Sequence, residues 1–151
     1  MGTYLVIYLI RCKLMSQLHV ERVNVFRLVG EKVPEGPSGA QNAFSNLRAT
    51  TGSDLSGQIG LHYPDGNRFF AGLVLDWKNC IDGLERLETA CGDYAVGVVN
   101  DWPNNTEAIN PALLRLEQLA EAAGRVVLPQ PRVGVYKEVG GLLLLLPLAN
   151  V

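Results

Sequence analysis

"VGVYKEVGGLLLLLPL", residues 133–148, decides how this chain is read. Five consecutive leucines, Leu142 to Leu146, follow a double glycine and stop at Pro147. The apolar run is far too short to cross a bilayer, which takes about 20 residues. Its length suits a strand buried on both faces. The segment before it, Val133 to Glu138, also reads as a strand, and Val139-Gly140-Gly141 supplies the turn. The stretch is therefore a hairpin. On a regular strand Tyr136 and Glu138 share a face, while Val135 and Lys137 point the other way.

Working back along the chain, the same order of elements appears earlier. "IGLHYPDGNRFFAGLVLD" (59–76) is a second hairpin with a tight turn at "DGN". Ile59-Gly60-Leu61-His62 aligns with Val133-Gly134-Val135-Tyr136. Each hairpin follows an amphipathic segment. "SGAQNAFSNLRAT" (38–50) puts Ala40, Ala43, Phe44 and Leu47 on one helical face. Ser38 and Gln41 have capping-box spacing, and Gly52 ends the helix. "PALLRLEQLAEAAG" (111–124) has Asn110 as cap, Pro111 at its first position and Gly124 as terminator. Its expected stripe is Leu113, Leu116, Ala120 and Ala123. Each helix follows a strand, "VERVNVFRLVGEKV" (20–33) and "GDYAVGVVND" (92–101). The reading is a single α+β domain over 1–151, built from two strand–helix–strand–strand units with pseudo-two-fold symmetry and a mainly antiparallel sheet. The first unit covers 20–76, the connection 77–88 and the second unit 89–151. Residues 1–19 form an extension, in which "TYLVIYLIRCK" reads as an extra N-terminal strand. That run has its charge after its apolar part, the reverse of a signal peptide. Met15 is an alternative start.

Composition narrows the function. Hydrophobic residues make up 48% and charged residues 19%, as in globular proteins, and the net charge of −2 gives no basic bias toward nucleic acid. Cys12, Cys80 and Cys91 are odd in number and scattered, without a C-x-x-C pair. This points to a reducing compartment, hence the cytoplasm, rather than to disulfides or zinc. His19 and His62 have no ligand-spaced partners for a metal. No phosphate loop or nucleophile elbow occurs, so no cofactor is expected.

The ordered segments "FRLVGEKVPEG" (26–36), "IGLHYPDG" (59–66), "GDYAVGVVNDWP" (92–103), "GRVVLPQPRVGVY" (124–136) and "LLLLLPL" (142–148) resemble the gyrase-inhibitor-like domains. These are also the effector-binding domains of multidrug-responsive transcription regulators. The resemblance spans 20–149. It implies a pocket between two units, lined by aromatic side chains, in which a buried glutamate attracts lipophilic cations. Some relatives use a glutamate and a tyrosine to hydrolyse strained electrophiles. Here the tyrosine is Tyr136, but Gly134 stands at the glutamate position, and a glycine brings no charge to offset a cation's lost hydration. No helix-turn-helix accompanies the domain. The expectation is therefore a stand-alone binding protein, not an enzyme, for small lipophilic organic ligands, cationic ones among them, with no nucleic-acid or membrane partner. The other reading is an interaction or adaptor module whose pocket has closed, associating as a homodimer through the N-terminal strand. The candidate ligand-binding residues are Trp102, Tyr136, Glu138, His62, Tyr94 and Phe70. Trp102 lies in a loop beside Pro103. Glu138 could supply the missing charge from one step along the strand. His62 occupies the position equivalent to Tyr136.

Overall fold

Alternation on the leucine strand organises the domain. The computed structural model describes residues 18–52, 57–65, 68–75, 83–137 and 140–150. In it Gly141–Leu148 forms a strand whose even-numbered leucines, Leu142, Leu144, Leu146 and Leu148, enter one core. Leu143 and Leu145 face a second core on the other side of the sheet. The expected burial on both faces is observed, with Leu143 only half-buried.

Eight antiparallel strands make up the sheet: β1 (Val20–Val23), β2 (Arg27–Lys32), β3 (Gln58–His62), β4 (Phe69–Val74), β5 (Glu85–Glu88), β6 (Gly92–Asn100), β7 (Arg132–Tyr136) and β8 (Gly141–Leu148). Their spatial order is β1-β6-β8-β7-β3-β4-β2-β5. From the central β3–β7 pair outward, the order is β3-β4-β2-β5 on one side and β7-β8-β6-β1 on the other. Each half thus has hairpin, first strand and edge strand in the same places. Helices α1 (Ala40–Thr51) and α2 (Ile109–Ala122) cover the face that carries the even-numbered leucines. The α+β class and the antiparallel sheet agree with the sequence reading.

Several local expectations are corrected. The strand expected over 20–33 is two strands, which run to opposite edges of the sheet: β1 pairs with β6, and β2 with β4 and β5. The Phe26 amide leaves the ladder to bond the Thr89 hydroxyl at 2.8 Å. The segment 77–88 contains β5, which its charged "ERLE" pattern hid. The capping box does not form. A 3-10 turn over Gly36–Gly39 precedes α1, the N-cap is Gly39, and the Ser38 hydroxyl donates to the Glu35 carbonyl at 2.9 Å. Gly52 does end α1, in the left-handed region at φ 69°. In α2 the N-cap is Ala108, so Asn110 and Pro111 lie inside the first turn. Its buried stripe is Ile109, Leu113, Leu116 and Ala120, and Ala123 is exposed. Another 3-10 turn, Thr106–Ala108, feeds directly into the helix and starts it earlier than Pro111 suggests. The extra strand expected before residue 14, Met15, Cys12 and Cys80 lie outside the described residues.

Candidate functional site

The middle of the sheet is a pair of glycines. Gly60 on β3 is registered with Gly134 on β7. With no Cβ on either, the ring of Tyr136 lies across both. A Cβ on Gly60 would stand 2.5 Å from Tyr136 Cε1, and one on Gly134 2.7 Å from the same atom. The Tyr136 hydroxyl reaches His62 Nε2 at 2.7 Å, and the two rings stack 5.9 Å apart. Phe44 from α1, Phe69 from β4 and Trp102 surround Tyr136, with centroids 5.3, 6.0 and 4.9 Å away. Trp102 stands on a 3-10 turn behind Asp101, whose φ is 50°. Its indole N–H donates to the Lys137 carbonyl at 2.6 Å, and its amide donates to the Gly140 carbonyl at 3.0 Å. The tryptophan is thereby fixed to the β7–β8 turn.

Burial sets the charge state of this cluster. It lowers the His62 pKa to about 3 and raises that of Tyr136 well above the usual phenol range. Both are neutral at ordinary pH, so the bond joins a neutral imidazole to a neutral phenol.

Beside the cluster opens a groove of about 200 Å³. His62 and Phe69 line it, directly opposite each other on β3 and β4. Tyr63, Pro64 and Arg68 of the hairpin form one wall, next to Gly36 and Pro37. The facing wall is α2, where Asn110, Leu113, Leu114 and Glu117 recur at helical spacing. Leu114 is 55% exposed, an uncovered leucine on the lip. Arg132 completes the lining from the start of β7. Its side chain is only 9% exposed and donates to Glu117 at 2.8 Å and to the Gln130 carbonyl at 2.9 Å. Arg68 donates from Nε to Asp65 at 2.8 Å, and its guanidinium lies 4.5 Å from the centre of the Tyr63 ring. Arg68 also opposes the upward push that burial gives the Tyr63 hydroxyl.

The sequence candidates fall into three groups. Trp102, Tyr136 and His62 come together, with His62 on the groove and the other two one layer inside. Phe70 and Tyr94 belong to the core on the opposite face of the sheet. There Tyr94 borders a separate cavity of about 170 Å³ with Leu61 and Thr89, and its hydroxyl donates to the Ala90 carbonyl at 2.5 Å. Glu138 lies outside the described residues. Sequence reasoning missed Phe69, Arg68, Leu113, Leu114 and Arg132 as lining residues. Hairpin register carried a usable signal for the first, because the residue opposite His62 must share its face. Among the described residues no group of three or more His, Cys, Asp or Glu could hold a metal, and no helix is long and apolar enough to cross a membrane.

No family model and no curated protein matches the sequence. Solved structures do match the fold. The C-terminal domain of EcmrR is 12% identical with a TM-score of 0.63, covering 89% of this chain and 98% of that one. SAV2435, solved bound to tetraphenylphosphonium, is 15% identical with a TM-score of 0.58, covering 88% and 94%. An integron cassette protein of Vibrio cholerae is 13% identical with a TM-score of 0.56, covering 89% and 97%. At these identities the likeness is one of fold, and the fold is the one implied by the resemblance to gyrase-inhibitor-like domains.

Proposed function

We propose that this domain binds small, largely apolar organic molecules and takes them up in the groove between the β3–β4 hairpin and α2. One observation carries the reading. An aromatic and aliphatic cleft, lined by His62, Phe69, Leu113 and Leu114, opens directly beside the buried aromatic cluster, with Leu114 55% exposed on its lip. Of these four only Leu114 is exposed, and apolar surface that a ligand covers gains about 25 cal/mol per Å² before entropic costs. The shared fold of SAV2435, solved with an organic ligand, supports the reading. The domain would act by sequestering its ligand or by presenting it to a partner.

NMR titration of the full chain with a panel of neutral aromatic compounds tests this. Shifts should concentrate on His62, Tyr63, Phe69, Leu113 and Leu114, and saturate. Melting temperature should rise with ligand concentration, since occupancy at about 100 times Kd adds about 2.7 kcal/mol. A panel without any binder, or shifts that map elsewhere, removes the reading.

A second reading, an interaction module with a closed pocket, draws on the Tyr136 ring. It occupies the space over Gly60 and Gly134 that a ligand between the two halves would need. Sedimentation of the full chain and of a form lacking residues 1–14 separates the two. A dimer that becomes a monomer favours the interaction module.

A further inference from the structure

We propose that the groove takes amphipathic anions: an aryl or alkyl body rests on Phe69 and Leu113, and a carboxylate or sulfonate is held at the mouth by Arg68. The proposal rests on the groove being a ligand site, and it deepens that reading by naming the ligand class.

The first argument is where a charge can sit. His62 at the floor has its pKa pulled down by burial, and Tyr136 behind it has its own pushed up for the same reason. The floor therefore penalises both signs of charge, and a charged ligand must keep its head at the mouth. Gly134 brings no carboxylate to the layer behind the floor.

The second argument is which partners stand free at the mouth. The acids in contact with the lining arginines are Glu117 and Asp65, and each is already engaged; Glu85 on β5 acts on the Tyr63 hydroxyl from behind that wall and is absent from the groove lining. Glu117 accepts from Arg132 at 2.8 Å and Asp65 accepts from Arg68 at 2.8 Å. A cationic head would have to displace an arginine from one of them. Arg68 differs. Only its Nε is committed, and its terminal nitrogens bond no described residue. Its side chain is 63% exposed, and the Tyr63 ring holds the guanidinium in place. A planar fork with free donors suits a carboxylate. An anionic head displaces nothing, whereas a cationic head breaks an existing pair. Leu114 on the opposite lip adds apolar contact for the ligand body.

Three matched ligands test this on the full chain at pH 7 by calorimetry: 4-tert-butylbenzoate, 4-tert-butylbenzyl alcohol and 4-tert-butylbenzylammonium. The benzoate should bind about five- to ten-fold more tightly than the alcohol, as a charge-assisted hydrogen bond at a partly exposed site gives, and the ammonium most weakly. In Arg68→Met the ratio of benzoate to alcohol affinity should fall to about one. Ammonium binding equal to or tighter than benzoate binding overturns the inference. So does a ratio that survives Arg68→Met. If the alcohol binds in the groove without any advantage for the benzoate, the groove stands and the anion preference falls. If none of the three binds, both fall.

Discussion

His62 and Tyr136 each stand two residues past one of the registered glycines Gly60 and Gly134, and their side chains meet through one buried hydrogen bond of 2.7 Å. Burial of His62 makes stability depend on pH with a definite sign. The folded-state pKa of His62 is about 3, below the 6.5 of an exposed histidine. The unfolded chain therefore takes up the proton first. Stability is complete above about pH 6.5 and is lost progressively as pH falls toward 3, by up to about 1.4 kcal/mol per pH unit. Between pH 6.5 and 5 the loss from this group should reach about 1.6 kcal/mol. Urea unfolding across that interval should show the slope in the native chain and a flatter one in His62→Gln. Equal slopes would mean that His62 is not held neutral.

Substitution of the close-approach glycines should give a ranked series. In Gly60→Ala the new methyl meets the ends of two rings, Tyr136 and Phe69, which can shift at a cost of about 1–3 kcal/mol. In Gly30→Ala it meets the Ala71 carbonyl oxygen at 1.9 Å, and backbone cannot yield in that way. That variant should lose more than about 3 kcal/mol or fail to fold. Denaturation midpoints of the two variants check the order.

Removing one member of the Glu117–Arg132 pair should cost more than removing both. Glu117→Gln leaves a guanidinium that is 9% exposed with two carbonyl contacts and no counter-charge. A loss of about 1–2 kcal/mol is expected, moderated because Glu117 is itself 31% exposed. Glu117→Gln combined with Arg132→Met should regain part of it. A double variant less stable than the single one would show that the pair contributes net stability.

Trp102→Phe keeps a ring in the aromatic cluster and deletes the indole N–H that binds the Lys137 carbonyl. The cost should be about 1–2 kcal/mol from the unpaired acceptor. Hydrogen exchange of the Trp102 amide, which donates to Gly140, should also quicken as the β7–β8 turn loosens. Unchanged exchange there would show that the turn is held without the indole.

Much of the architecture was legible because side-chain periodicity is a local property. Short apolar runs between glycine and proline signals marked β3, β4, β6, β7 and β8, and the i, i+3, i+4 spacing of Ala40, Ala43, Phe44 and Leu47 marked α1. What escaped depends on distant partners. β5 carries the polar sequence Glu85-Arg86-Leu87-Glu88 and is a strand because β2 offers it an edge. The division of 20–33 into β1 and β2 depends on β6, far along the chain, drawing Val20–Val23 away. At the site, Tyr136 and His62 were recognisable from their aligned positions. Arg68, Leu114 and Arg132 were not, because they meet only when α2 folds over the hairpin. Phe69 rather than Phe70 faces the groove, a matter of hairpin register that composition does not reveal.

The edge strand β1 has a consequence for the order of assembly. Val20 pairs with Ala95, so the first described strand of the chain waits for one of the last halves of the sheet to exist. During synthesis the β3–β4 hairpin and the β2 strand beside it can form early, while Val20–Val23 stays without a ladder until residues 92–100 have emerged. Such distant pairings slow folding and tie its completion to the second half. The two halves therefore close like interlocked fingers, and a C-terminal piece made without Val20–Val23 would leave β6 with an unpaired rim open to any passing strand.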